Sequence, residues 1–219
     1  MPRLLFEKTG NAVWMSHLDL MRLFQRAFKR AELPLTHTQG FNPRPSVSIA
    51  LPLSVGVESG CELLDFDLDG ETVTCDEILT RLNGVLVDGV RVLKVYDNGG
   101  KIKNLALLSC QVFLEYDSGV PDGAVTAINE LFRADSLVME KRGKNGPVQQ
   151  DIIPMIRRIK AEQTDEHTIV LTAVICCQNP ALNPAQLSSA VLQYLPQYRP
   201  DFSKCRRLEV YDYREKVFR

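Results

Sequence analysis

The sequence predicts an α+β protein built from two tandem ferredoxin-like (βαββαβ) units with antiparallel sheets. Three observations carry this expectation. The segments read twice over as strand, helix, strand, strand, helix, strand. A polar, glycine-bearing stretch, NGGKIKN at 98–104, separates the two readings. The length of 219 residues suits two units of roughly 100 residues each. The expected units are 1–100, with a basic helix and a GFNPRP loop, and 101–219, with a basic insertion near 141–160. A single continuous α+β domain is the plainer alternative.

In the first half, RLLFEK (3–8) reads as a strand. A helix follows from Ser16 to about Glu32. Ser16 with Asp19 three residues on resembles a capping box: the hydroxyl takes an orphan backbone N–H, and the acid sits near the positive end of the helix. Leu33-Pro34 ends it. Leu20, Phe24, Ala27, Phe28 and Ala31 recur at helical spacing and form the stripe that packs on a sheet. After a short extended piece come the GFNPRP loop, strands SVSIALPL (46–53) and CELLDFDLD (61–69), helix CDEILTRLNGVL (75–86) and strand VRVLKVY (90–96). Period-2 alternation puts Leu64, Phe66 and Leu68 on a core face, and Asp65, Asp67 and Asp69 on the other. Three carboxylates in a row are a magnesium pattern, but a solvated face or a protected sheet edge is the simpler account.

The second half repeats the order more loosely. LALLSCQVFLEY (105–116) is a strand, VPDGAVTAINELFRA (120–134) mostly helix and SLVMEKR (136–142) a strand. HTIVLTAVICC (167–177) is another strand, PAQLSSAVLQYL (184–195) a helix and CRRLEVYDY (205–213) the last strand. Residues 143–166 sit between the middle two strands as an insertion with a short helix at its centre.

The net charge of −1 argues against a general nucleic-acid glue, yet the charges are segregated. Residues 1–45 hold seven bases and three acids, 57–77 eight acids and no base, and 141–160 six bases and one acid. Such blocks create local fields that the sum conceals. Arg22, Arg26, Lys29 and Arg30 share one helix face; a solvated surface is the bland account, and a phosphate track is the functional one. Arg44 is the lone charge in a loop stiffened by Pro43 and Pro45, with Gly40 free to take a positive φ. Phe41 is placed to stack on a base, beside Asn42. Arg142, Lys144, Arg157 and Arg158 form the second basic block. Ser16, His17 and Asp19 are a separate polar candidate. A neutral His at a helix start can act as a base, although a His bonded to a neighbouring loop is plainer.

Several classes are disfavoured. The six cysteines show no CxxC and no Cys–His spacing for zinc, and no cluster for an iron–sulfur centre, so no metal and no cofactor are expected. Phosphate loops, dinucleotide fingerprints and nucleophile elbows are lacking. No apolar run approaches a membrane span, and MPRLLFEKTG lacks the features of a signal peptide, which points to the cytoplasm.

The SHLDLMR helix start, the RAFKRAELP helix end, the GFNPRP loop and the ALPLSVGVES strand and turn together resemble a radical-SAM-associated domain of unknown function found in many bacteria. The likeness is close over about the first sixty residues and looser through DIIPMIRRI. That domain occurs alone or fused behind a radical SAM enzyme. Arg44 stands where the resemblance leads one to expect His or another base, which weighs against a catalytic His in this loop. The resemblance implies a radical SAM protein as partner, not radical SAM chemistry in this chain. The leading expectation is therefore a non-catalytic module that binds tRNA or rRNA for a radical SAM modification enzyme. The alternatives are a metal-independent endoribonuclease of tandem ferredoxin-like build and a pure protein-interaction domain.

Overall fold

A computed structural model describes residues 1–70, 73–143 and 146–219. The chain packs as two compact units, one of residues 1–104 with 217–219 and the other of residues 105–216. Each combines α-helices with an antiparallel sheet.

The first unit runs β1 (Arg3–Lys8), α1 (His17–Arg30), β2 (Val47–Ala50), β3 (Glu58–Phe66), α2 (Cys75–Asn83) and β4 (Val90–Tyr96). Its strands lie in the order β4-β1-β3-β2, each neighbour antiparallel to the next. Leu4 stands opposite Leu64, and Leu4, Phe6, Leu64 and Phe66 are fully buried. Onto them α1 lays Leu20, Phe24, Ala27 and Phe28. The Phe24 ring meets Phe6 edge-on at 4.7 Å between centroids, and Phe28 lies 5.1 Å from Phe66. Burying such rings makes this helix–sheet seam a strongly stabilising contact. Both helices are capped by side chains. Ser16 accepts from the Asp19 N–H, and Thr74 forms a reciprocal capping box with Glu77.

The opposite face holds an unusual buried cation. Arg3 donates to Asp65 at 2.6 and 2.9 Å and to the Gly100 carbonyl at 2.8 Å, and its guanidinium lies over the Phe218 ring at 5.1 Å. A Cβ on Gly99 would stand 2.5 Å from Arg3 Cζ, so the side chain runs along bare glycine backbone. Asp65, expected on a solvated carboxylate face, is thus the counter-ion of a buried arginine. Asp67 accepts instead from the Thr36 hydroxyl. The strand also lies three residues earlier than expected, and both Leu63 and Leu64 are buried. Beyond Phe66, Leu68 and Asp69 turn to pair with Leu35 and Pro34. The strand expected over 46–53 stops at Ala50, because Leu51 takes a φ of 52° and Pro52 has no N–H for a ladder.

The second unit runs β5 (Leu105–Glu115), α3 (Ala124–Leu131), β6 (Val138–Gly143), β7 (Gly146–Asp151), β8 (Ile156–Asp165), β9 (Thr168–Cys176), α4 (Ala185–Tyr194) and β10 (Phe202–Asp212). Its main sheet has the order β10-β5-β9-β8, again antiparallel throughout. One expectation is corrected here. SLVMEKR does not join the main sheet; it pairs with 146–151 as a separate two-stranded ribbon. The second strand of the main sheet along the chain is instead β8, which lay inside the supposed insertion. Being at the edge, β8 buries only Ala161 fully and exposes most of its polar side chains, so its apolar signal is weak. The short helix expected there is a single 3-10 turn, Ile153–Met155.

All six cysteines are free thiols; burial pushes Cys110 up to about 12 and Cys177 up to about 11, which keeps both protonated and inert at neutral pH. Among the described residues no helix is long and apolar enough to cross a membrane.

Candidate nucleic-acid interface

The start of α1 is fixed by a buried lysine. Lys8 Nζ donates to the carbonyls of Val13 (3.1 Å) and Met15 (3.0 Å), anchoring the 3-10 turn Gly10–Trp14 that leads into the helix. Ser16 then caps α1 and donates from its hydroxyl to Asp19 at 2.6 Å. That bond, reinforced by Arg22, holds the Asp19 carboxyl below the usual carboxylate range. His17 is half-buried. Among the described residues its ring Nδ1 is buried with no hydrogen-bond partner.

The basic face follows along the helix. Arg22, Arg26, Lys29 and Arg30 are all exposed. Arg22 is tied to Asp19 at 3.2 Å, whereas Arg26, Lys29 and Arg30 have no ion pair among the described residues. Spacings of three and four residues keep these guanidinium and ammonium groups on one stripe, about 12 Å long from Arg22 to Arg30.

The chain then turns back on itself. Thr38 N–H donates to the Arg44 carbonyl at 2.9 Å, and Arg44 N–H donates to Thr38 Oγ1 at 3.0 Å. His37 and Pro45 face each other in an antiparallel bridge just below. This neck holds an exposed tip, residues 39–43, in which Gly40 adopts a φ of 137° that other residues avoid. Phe41 is fully exposed there, Asn42 and Arg44 are exposed beside it, and Arg44 has no ion pair among the described residues.

Helix and loop meet at their bases. A groove of about 530 Å³ is walled by Gln25 and Lys29 of α1 on one side and by His37 and Pro45 of the neck on the other. Residues 32–35 line the rest. The helix base that shares this groove with the loop is therefore Lys29, rather than Arg22 or Arg26. Sequence reasoning placed Lys29 on the stripe but named none of His37, Gln25 and Glu32 as site residues. The signal was available in ELP: a helix that must stop before Pro34 forces a reversal at Glu32.

The second basic block belongs to the second unit. Arg157 and Arg158 are exposed on the edge strand β8, with Arg158 paired to Glu215 at 2.6 Å. The side chain of Arg142 and the whole of Lys144 lie outside the described residues. Among the described residues, no three His, Cys, Asp or Glu side chains lie close enough to share a metal ion.

Residues 2–184 match the family described as "Uncharacterized protein conserved in bacteria (DUF2344)". No curated protein matches the chain. Among solved structures, a chain of "Crystal Structure of a Cbf5-Nop10-Gar1 Complex" aligns with a TM-score of 0.54 at 7% identity, covering 95% of this chain and 48% of that one. A chain of "Structure of H/ACA RNP bound to a substrate RNA containing 2'-deoxyuridine" aligns with a TM-score of 0.50 at 6% identity, covering 94% and 46%. The chain spans about half the length of these structural relatives. At such identities the likeness is one of fold.

Proposed function

The chain belongs to the bacterial family of uncharacterized conserved proteins that matches its residues 2–184, and on that premise we propose that it is a non-catalytic RNA-binding module serving a radical SAM modification enzyme. One observation carries the RNA reading: an exposed stripe on α1, whose Arg26, Lys29 and Arg30 have no ion pair among the described residues, lies beside a hydrogen-bonded neck that presents a fully exposed phenylalanine. Guanidinium and ammonium groups neutralise phosphates without reading sequence, and an exposed aromatic ring is a stacking platform for an unpaired base. With a net charge of −1, this local field would have to supply the affinity. Fold likeness to a chain from an H/ACA RNP bound to a substrate RNA supports the reading.

The track consists of Arg26, Lys29, Arg30 and Arg44, with Arg22 subsidiary because it is already ion-paired; Arg158, on the second unit, is a separate candidate and is already paired with Glu215. tRNA and rRNA are the RNA classes of choice. Each unit is read as ferredoxin-like, supported by the strand orders β4-β1-β3-β2 and β10-β5-β9-β8. The radical SAM partner rests on the resemblance of the first sixty residues. It is supported by exposed apolar side chains at the start of α1: Trp14, whose ring lies against Gly56, and nearby in sequence Leu18.

The test is binding of total tRNA, measured by fluorescence anisotropy at about 50 and about 200 mM salt. Affinity should fall steeply with salt, and Arg26→Ala and Arg44→Ala should each weaken it. No binding, or binding unchanged in both variants, overturns the RNA reading. For the partner, co-purification with a co-expressed radical SAM enzyme should survive ribonuclease and be lost in Trp14→Ala.

A further inference from the structure

We infer that the groove between the end of α1 and the neck of the 38–44 loop receives one unpaired nucleotide of the bound RNA, with a base that carries an exocyclic amino group. This rests on the RNA-binding reading and narrows it to a recognition pocket. The groove, at about 530 Å³, falls in the range of small-molecule sites, about 300–1,000 Å³. Its floor is rigid, since Leu33 is fully buried and Leu35 nearly so. Its polar groups are uncommitted: Gln25, Lys29, Glu32 and His37 line it, and none has a side-chain hydrogen bond or ion pair among the described residues. An apolar floor with a few unpaired polar groups around it is the ordinary make-up of a ligand site.

Glu32 supplies the second argument. It holds a φ of 56° just past the helix end. Leu33 N–H donates back to the Phe28 carbonyl at 2.9 Å and Glu32 N–H to the Lys29 carbonyl at 3.3 Å, the Schellman pattern in which glycine is the usual residue at this position. A glutamate here costs stability and gains no internal partner, so the position is explained by what its carboxylate does in the groove.

The division of labour follows from donor and acceptor chemistry. Lys29 is the point charge for a phosphate. The His37 ring and the Pro45 ring offer flat surfaces against which a base lies. The Glu32 carboxylate can only accept, so it favours the amino group of cytosine, adenine or guanine and disfavours the carbonyl-flanked edge of uracil.

The experiment is an NMR titration of the full chain with the four nucleoside 5′-monophosphates, run beside the tRNA assay. Cytidine monophosphate should shift the backbone signals of residues 29–37. Gln25→Trp, which fills the groove, and His37→Ala, which removes one wall, should each weaken this by about tenfold. Uridine monophosphate should bind about fivefold more weakly than cytidine monophosphate, and Glu32→Gln should level the two. Absence of nucleotide shifts, or shifts undiminished in both groove variants, overturns the inference. Equal binding of uridine and cytidine monophosphates overturns the role of Glu32. tRNA binding without nucleotide shifts sinks the groove alone; nucleotide shifts without tRNA binding sink the RNA reading and leave the groove as a free-nucleotide site.

Discussion

At the scale of single residues, two positions run against ordinary preference, and each makes a prediction. Arg3 is buried with Asp65, and one of its nitrogens, Nη1, has no hydrogen-bond partner among the described residues. Removing only the cation, as in Arg3→Met, strands the carboxylate and should cost about 3 kcal/mol. Replacing both, Arg3→Met with Asp65→Leu, removes the stranded carboxylate and the unpaired nitrogen together, and should recover most of that loss. Urea unfolding of the two variants decides the matter; a double variant no more stable than the single one would show that the pair itself stabilises the fold. Glu32→Gly should act in the opposite direction. Relieving the left-handed backbone should raise stability by about 1 kcal/mol, seen as a higher urea midpoint. The same variant should lose discrimination between cytidine and uridine monophosphates. Gain in one and loss in the other would separate a functional residue from an accident of the turn.

At the scale of elements, the helix starts carry a pH dependence whose sign is fixed by the caps. The bonds to backbone and hydroxyl of Thr74 hold the Glu77 carboxyl below its usual range, and the Ser16 hydroxyl does the same for Asp19. A depressed folded-state value means stability that is fully present above the ordinary carboxylate range and is lost as pH falls through the depressed value. Urea midpoints followed from neutral to acid pH should therefore decline, and less steeply in Glu77→Gln than in the parent. The elements also show what a sequence displays and what it conceals. β1 and β4 were legible to the residue because they alternate and are bounded by turns. The stripe of α1 was legible because every turn brings an apolar side chain round to the sheet. β8 was not, because an edge strand needs only one buried face and fills the other with charge. The candidate site was half legible. Its bases follow a helical period, whereas the groove depends on a φ at Glu32 and on a bridge between His37 and Pro45, neither of which has a period.

At the scale of the whole molecule, the charge balance makes salt dependence the sharpest discriminator among the bases. Each unpaired base that meets a phosphate should reduce the slope of log affinity against log salt by about one when removed. Arg26→Ala should do so. Arg158→Ala should change the slope less, because that guanidinium already holds Glu215. Equal effects would mean that the ion pair opens on binding and that Arg158 also meets a phosphate. The division into units has a further consequence, which concerns synthesis. Residues 217–219 belong to the first unit: Gly100 N–H donates to the Arg219 carbonyl at 2.8 Å, and Phe218 lies over Arg3. On a ribosome, β1 to β4 therefore emerge before residues 105–216, yet their unit is sealed only after all of 105–216 has been translated. Throughout that interval the nascent chain holds the Arg3 guanidinium without its aromatic cover, so the unit that precedes the other along the chain is closed after it.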